Sequence, residues 1–437
     1  MKHRQMSVSI SNNQIWGNAY PVRGIELIAG LLLLSPFFAS IPAYAAFAVC
    51  LYRLIRYDSK VFCTDFCVLV PLSQLFRTAG GMSLMVYLSL AAIIWFLVRD
   101  GIRRDWAFVM LLAVLNYLVL RFQMNITNFL LCFSQLALLW FLMSKQDPIS
   151  AERSLKAFCI CLLFSSVCAL LLRNTWQIRA LRGAEVPAFF GSSQMRFQGL
   201  FSDPNYYMYL LIAALAILIK LYDVKRIRRV WFLIMTVALT VFGILTYSKT
   251  FFLMLVVLCA VYIVWQLLKG NYLLGIGLIL VIVVSGSFLL FSERSPFAVV
   301  LTRLANGSSL SDLTTGRTDL FLLYLNEIFD SPISFLFGKG MMAGNLGMDP
   351  HNLYLEIVYY IGVCGLLLFA AYFGTIMAIA SRRSKSLSGK DMIARYLVLL
   401  MVFLLNFTLH GMYSVATYAG FLLAFLAMLI SGEKEVV

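Results

Sequence analysis

Charge is the scarcest commodity in this 437-residue sequence. Asp, Glu, Lys and Arg make up 13% of it and hydrophobic residues 62%, against about 25% and about 45–50% in an average soluble protein. That apolar excess exceeds what one or several soluble cores could hold. Nucleotide motifs are missing too. There is no Gly-x-x-x-x-Gly-Lys-Ser/Thr loop and no Gly-x-Gly-x-x-Gly turn, so neither ATP hydrolysis nor a dinucleotide cofactor is supported. No Asp-x-Asp pair occurs, and the three histidines, His3, His351 and His410, lie far apart. The sequence therefore points to no metal and no cofactor. None of the nine cysteines falls in a Cys-x-x-Cys pair or a loop; they read as small buried hydrophobes rather than as a disulfide or zinc framework.

What is present is a series of apolar runs long enough for a bilayer. Candidate helices fall near 24–40, 42–57, 61–76, 79–98, 106–121, 126–143, 154–172, 204–222, 230–247, 250–268, 271–291, 351–380, 393–410 and 413–431. The first pair reads either as one long helix or as two, and several early runs are short. The expected fold is all-α, a single transmembrane domain over 1–437 with about 12–14 membrane helices. Ala43-Tyr44-Ala45 resembles a signal-peptidase site, but hydrophobic sequence resumes at once, so an uncleaved first helix is expected.

Net charge is +15. The basic residues sit between spans rather than in a nucleic-acid-binding patch, and they set the topology. With the N-terminus inside, 24 of the 35 Lys and Arg residues fall on the inner side and 11 on the outer side, as the positive-inside rule requires. Both termini are then cytoplasmic. Two outer segments, 173–204 and 292–350, are longer than connections need. They carry eight of the 11 outer basic residues, which suggests an anionic ligand. In the second, Leu320, Phe321, Leu323, Tyr324 and Ile328 recur at near-helical spacing after Arg317 and before Ser331-Pro332. This predicts a short amphipathic helix lying on the outer surface, with Arg317 near the headgroups.

Polar residues interrupt outward helix ends at 196–205, 246–250, 315–317 and 349–353. In the first, Asp203 or Ser202 is placed to cap a helix starting at Pro204, near Arg196. Arg196 and Arg317 are the leading candidates for binding an anion, with Arg173, Arg179 and Arg182 weaker. His351 is the leading candidate base, because an unperturbed imidazole is largely neutral near pH 7; Asp203, Asp349 and Glu356 are its rivals. Chemistry on an outer face without a nucleotide needs a substrate that is already activated, and a lipid diphosphate sugar fits. Glycines 338, 340, 344 and 347 make the stretch before His351 permissive enough for a lid.

These stretches together resemble the O-antigen ligase and Wzy-type polysaccharide polymerase superfamily of bacterial membrane glycosyltransferases. The resemblance rests on Arg196-x-x-Gly-Leu-Phe-x-x-Pro-Asn205, the Ser248-Lys249-Thr250 turn, Gly316-Arg317, Phe337-Gly-x-Gly340, and His351-Asn352 followed by Gly362 and Gly365. It covers roughly residues 190–380. It implies a GT-C-like membrane enzyme with two long extracytoplasmic loops. Such an enzyme transfers a glycan from undecaprenyl diphosphate, on the outer face of the bacterial inner membrane, to an acceptor hydroxyl, with inversion and without metal or nucleotide. At matching positions Arg196 and Arg317 would hold the donor diphosphate and His351 would assist the acceptor. Lys249, Ser248, Asn205, Asn352 and Arg182 are candidate substrate contacts. Lys249 stands where the family commonly has arginine, and lysine lacks the bidentate fork that suits phosphate. The expected activity is polymerisation of lipid-linked oligosaccharide repeats into an O-antigen or capsule. Its rivals are ligation of the glycan to lipid A-core and transport of lipid-linked sugars. The implied partners are the glycan donor, a glycan or lipid A-core acceptor, the bilayer and a chain-length regulator.

Overall fold

A computed structural model describes residues 22–38, 40–78, 81–122, 126–182, 187, 195–273, 317–340, 346, 349–384, 392–409, 411–412 and 414–430. This part of the chain is helical, and the only extended pairings among the described residues are two isolated bridges, Arg77 with Ser83 and Pro187 with Met195. The helices are α1 (Val22–Leu34), α2 (Ile41–Arg56), α3 (Ser59–Leu69), α4 (Leu84–Asp100), α5 (Trp106–Phe122), α6 (Ile126–Lys145), α7 (Pro148–Leu171), α8 (Trp176–Arg182), α9 (Pro204–Asp223), α10 (Arg229–Ile244), α11 (Lys249–Leu268), α12 (Arg317–Phe329), α13 (Pro332–Phe337), α14 (Leu353–Arg383), α15 (Met392–Leu405) and α16 (Val415–Leu429). Four of them, α7, α9, α11 and α14, are long and apolar enough to cross a membrane. Six shorter apolar segments accompany them.

Most starts follow from local chemistry. Asp147 caps α7 in a reciprocal capping box with Ser150, and Pro148 occupies the first turn, where its missing N–H costs nothing. Asp58, Asp203, Ser248, Ser331, Asn352 and Ser414 likewise accept backbone N–H groups at the starts of α3, α9, α11, α13, α14 and α16. The run from 24 to 57 is two helices. Ser40 takes a left-handed conformation (φ 64°) between a 3-10 turn at Ser35–Phe37 and the proline at the start of α2. The predicted 61–76 helix stops short, passing into a 3-10 turn at Val70–Leu72 that contains Pro71. The predicted span at 271–291 lies almost wholly outside the described residues, as do both termini.

Helix α9 is the hub. It is buried over 83% of its apolar window, against 28% for α11, and an apolar surface on all sides suits a helix enclosed by others. Helices α10, α7, α15, α16 and α11 surround it. One end of this bundle is stitched by ion pairs. Lys269, just after α11, binds Asp223 at the end of α9 (2.6 Å), and Arg226 and Lys156 share Glu152. Near the same end Arg53 of α2 makes a two-pronged bond to Asp65 of α3, both contacts at 2.8 Å and both side chains buried.

Helix α14 is broken at Gly362 (φ 70°, ψ −179°). The carbonyls beside the break are satisfied from outside the helix. Tyr359 O accepts from Lys339 N (2.8 Å), Tyr360 O from Gly340 N (3.0 Å), and Ile361 O from the Tyr117 hydroxyl (2.7 Å). The 337–340 segment is therefore pressed backbone to backbone against the break. A Cβ on Gly362 would lie 2.3 Å from Leu336 O, and one on Gly338 would lie 2.5 Å from Ile361 N. Arg121, at the end of α5, donates to Gly338 O (2.6 Å) and closes the joint.

A Gly362→Ala substitution should therefore undock α13, combining a left-handed backbone with a clash against main chain. We expect a loss of at least about 2 kcal/mol in unfolding free energy and new proteolytic cleavage near residues 330–346. Wild-type stability and protease resistance would contradict this account of the joint.

Candidate functional site

The end of α9 opposite the ion pairs gathers three capped helix starts. Asp203 Oδ1 accepts from Asn205 N (2.6 Å), Ser248 Oγ from Phe251 N (3.4 Å), and Asn352 Oδ1 from Tyr354 N and Leu355 N (3.0 and 3.1 Å). Three helix dipoles thus direct their positive ends to one end of the bundle, and the segments leading into them carry the predicted site residues.

Arg196 is fixed by two neutral acceptors. Its Nε donates to Thr246 O (2.8 Å) and its Nη2 to Asn205 Oδ1 (3.2 Å). Those bonds orient the guanidinium. They also join the 196–205 stretch to the 246–249 turn, a junction reinforced by Phe197 N donating to Leu245 O (2.9 Å). The turn is itself constrained, with Tyr247 at φ 48° and Thr246 Oγ1 accepting from Ser248 N. Gly199 (φ 59°) is required because its Cβ would meet the Tyr207 ring at 2.7 Å. Lys249, the first residue of α11, is half-buried beside this turn.

Arg317 reaches the same place from the other long loop. It opens α12, where burial pushes its guanidinium below the ordinary arginine value, and the nearby Asp203 carboxylate acts in the opposite sense. Arg317 is half-buried. The predicted helix is present; Tyr324 and Ile328 are buried, whereas Phe321 and Leu323 of the same face are exposed. The Tyr324 ring packs edge-on against Tyr359 of α14, with ring centres 4.8 Å apart, and its hydroxyl accepts from Leu346 N (3.3 Å). The docked α13 and this contact hold Arg317 toward the bundle.

His351 precedes the Asn352 cap in a left-handed conformation (φ 49°) and is half-buried. Its neighbour Asp349, together with Asp203 and Glu356, lies within electrostatic range of the Tyr206 hydroxyl on α9. The α14 start and the α9 start therefore lie close together around Tyr206. Of the predicted residues, Arg196, Asn205, Ser248, Lys249, Arg317, His351 and Asn352 are gathered at this end. Ser248 and Asn352 act there as helix caps, which uses their side-chain oxygens locally. Arg173 and Arg179 are exposed. Arg182 ends α8, and its side chain lies outside the described residues, as does His410. Of the proposed lid, residues 344 and 347 also lie outside them, whereas Gly338 and Gly340 are committed to the joint with α14.

Several contributors carry little sequence signal. Glu356, named from the sequence as a rival base, is buried, and its Oε2 accepts from Gly411 N (2.8 Å) and Met412 N (3.1 Å), tying α14 to the α15–α16 turn. Its position in an apolar run was the available clue, since a buried ionisable residue in a membrane helix warrants a functional hypothesis. Arg121 and Tyr117 read as ordinary helix residues, although they hold the α13–α14 joint. Lys339, one of the eight basic loop residues, is turned to other work, bonded to Asp330 (2.9 Å) and Glu327 (3.2 Å).

No protein-family model matches the chain, and no curated protein sequence matches it.

Asp203 has two separable tasks, capping α9 and facing Arg317. Asp203→Asn keeps the cap, whereas Asp203→Ala loses it, so denaturant unfolding should find the alanine variant less stable by about 1 kcal/mol than the asparagine variant. Equal losses in the two variants would mean that the charge, and not the cap, carries the stability.

Proposed function

We propose that the protein is a membrane glycosyltransferase that polymerises undecaprenyl-diphosphate-linked oligosaccharide repeats into a surface polysaccharide. In this reading it sits in the bacterial inner membrane with both termini cytoplasmic and its site facing outward. The observation that carries the reading is the convergence of Arg196, Arg317 and His351, which are far apart in sequence, beside the capped starts of α9, α11 and α14. The order and spacing of the stretches that resemble O-antigen ligases and polymerases support it further.

The chemistry assigned to these groups is a single displacement. The acceptor hydroxyl oxygen attacks the anomeric carbon from the face opposite the diphosphate, and its proton passes to the His351 imidazole. The bond between that carbon and the diphosphate oxygen breaks, the electron pair leaving with the diphosphate, and the anomeric configuration inverts. Negative charge grows on the leaving oxygens as this happens. Arg196, held in place by Thr246 and Asn205, is pre-aimed to meet it, and Arg317 adds a second cation in a partly desolvated position where electrostatics act more strongly. Transport of lipid-linked sugars is less favoured. Among the described residues the buried cations Arg53 and Lys220 each lie three residues from the far ends of their helices, and they form no charged path across the bundle with the arginines of the site.

The test uses purified protein and an undecaprenyl-diphosphate-linked repeat unit, with products resolved by size. We expect a ladder of lengthening glycans, a fall of about 10²–10³ in rate for Arg196→Ala and for Arg317→Ala, and a fall of about 10²–10⁴ for His351→Asn. Asparagine tolerates the left-handed backbone at 351, so the last variant should remain folded. Transfer only when lipid A-core is supplied would make the protein a ligase. Vesicle translocation of the lipid-linked sugar without any glycosidic product would overturn the reading.

A further inference from the structure

The candidate site does not use every cation at its end of the bundle. Helices α3 and α7 both start at the ion-paired end, where Lys60 meets Asp147 and Arg226 meets Glu152. The segments that follow them, 73–83 and α8, therefore lie at the opposite end, with the candidate site. Residues 76–84 form a closed hairpin there. Leu84 N donates to Phe76 O (2.9 Å), Thr78 N to Met82 O (2.8 Å) and Met82 N to Thr78 Oγ1 (3.0 Å). Arg77 stands inside this hairpin, paired with Ser83 across it.

Arg77 is half-buried, and its Nε is sealed from solvent. Its guanidinium makes no hydrogen bond or ion pair among the described residues. Burial pushes its pKa below the ordinary arginine value, and no carboxylate acts in the opposite sense. The cations of the other end differ, since Lys60, Lys156, Arg226 and Lys269 each have a carboxylate within an ion-pair distance. A charge withdrawn from water without a counter-ion is destabilising, and an anion supplied from outside the protein offsets that.

More positive charge and an apolar surface adjoin Arg77. Ser35 Oγ donates to Leu75 O (3.1 Å), and the Ser35–Phe37 turn packs against α8, so this turn links the hairpin to α8. Helix α8 buries Ile178 and leaves Trp176 and Arg179 exposed, with Arg173 exposed just before it. Beside the turn Phe38 and Ile41 are 58% and 69% exposed, and Met82 of the hairpin 47%. Arginines next to an exposed tryptophan and exposed apolar side chains match the headgroup layer of a bilayer, where charge and hydrocarbon meet.

We propose that Arg77 and Arg179 form a second anion site, which holds the phosphate of an anionic phospholipid whose acyl chains lie along Phe38 and Ile41. A guanidinium meets phosphate oxygens with parallel N–H donors, and the neighbouring apolar residues favour a lipid over a free anion. The site does not depend on the reaction proposed above.

The test places the full-length protein in phosphatidylcholine nanodiscs containing a minor fraction of phosphatidylglycerol and counts, by native mass spectrometry, the phosphatidylglycerol retained per protein. Arg77→Met keeps the apolar stem and removes a charge that has no partner within the protein, so melting in pure phosphatidylcholine should be unchanged. We expect wild type and Arg317→Ala to retain about one more molecule per protein than Arg77→Met combined with Arg179→Gln, a difference that shrinks as salt is raised. A phosphatidylglycerol with a photoreactive group beside its phosphate should label residues 73–84 and 173–182 of wild type, and less strongly those of the double variant. Equal retention and equal labelling in the two proteins would overturn the site. So would labelling of wild type confined to the basic segments at the other end of the bundle, a readout that needs no variant to fold. Displacement of the label by undecaprenyl diphosphate but not by cardiolipin would overturn the phospholipid reading and assign these arginines to a substrate.

Discussion

The backbone contact between residues 336–340 and the break at Gly362 sets the geometry on which the candidate site depends. An apolar helix as long as α14 would ordinarily satisfy its own carbonyls. Here the break at Gly362 opens the ladder, and Lys339 N, Gly340 N and the Tyr117 hydroxyl supply the donors. Because peptide groups buried in an apolar setting must be paired, the break and the 337–340 strap stabilise each other. The strap seats α13, α13 leads back to α12, and α12 presents Arg317 to the Asp203 cap. Neither glycine can carry a Cβ without displacing main-chain atoms. Arg121, bonded to Gly338 O, ties the joint to α5.

Around that joint the charges are sorted along the bundle. At one end Lys60 meets Asp147, Lys269 meets Asp223, and Glu152 is shared by Lys156 and Arg226. At the other end Arg196 is bonded to a carbonyl and an amide oxygen, Arg317 faces a carboxylate that also caps a helix, and the positive ends of α9, α11 and α14 lie close by. An anion approaching this second end meets cations already held in orientation.

The helix starts were largely legible in the sequence. Asp203-Pro204, Ser248 and Asn352 carry cap chemistry in the residues themselves, so the starts of α9, α11 and α14 fall close to where the pattern puts them. Of the polar stretches singled out, 196–205 and 246–249 are bonded to each other, and Arg317 and Asp349 lie within electrostatic range of the α9 start. The break in α14 was not legible, because Gly362 sits in an apolar run that reads as one continuous span, and only the approach of Leu336 and Phe337 explains its conformation. The orientation of Arg196 depends on a carbonyl 50 residues away, a tertiary relation that no local pattern carries. Tyr324 of α12 packs against Tyr359 of α14 while Phe321 and Leu323 stay exposed, a division of the apolar face that its spacing alone does not give. Lys249 lies at the first turn of α11.

The claim that most needs testing is that 196–205, 246–249, Arg317 and His351 form one site for a lipid diphosphate. The direct measurement is equilibrium binding of undecaprenyl diphosphate and of uncharged undecaprenol to the purified protein at several salt concentrations. The account predicts that the diphosphate binds much more tightly than the alcohol, with a difference that shrinks in Arg196→Ala and Arg317→Ala and nearly vanishes when both are replaced. Equal affinity for the two lipids, or a diphosphate preference that survives the double replacement, would contradict it.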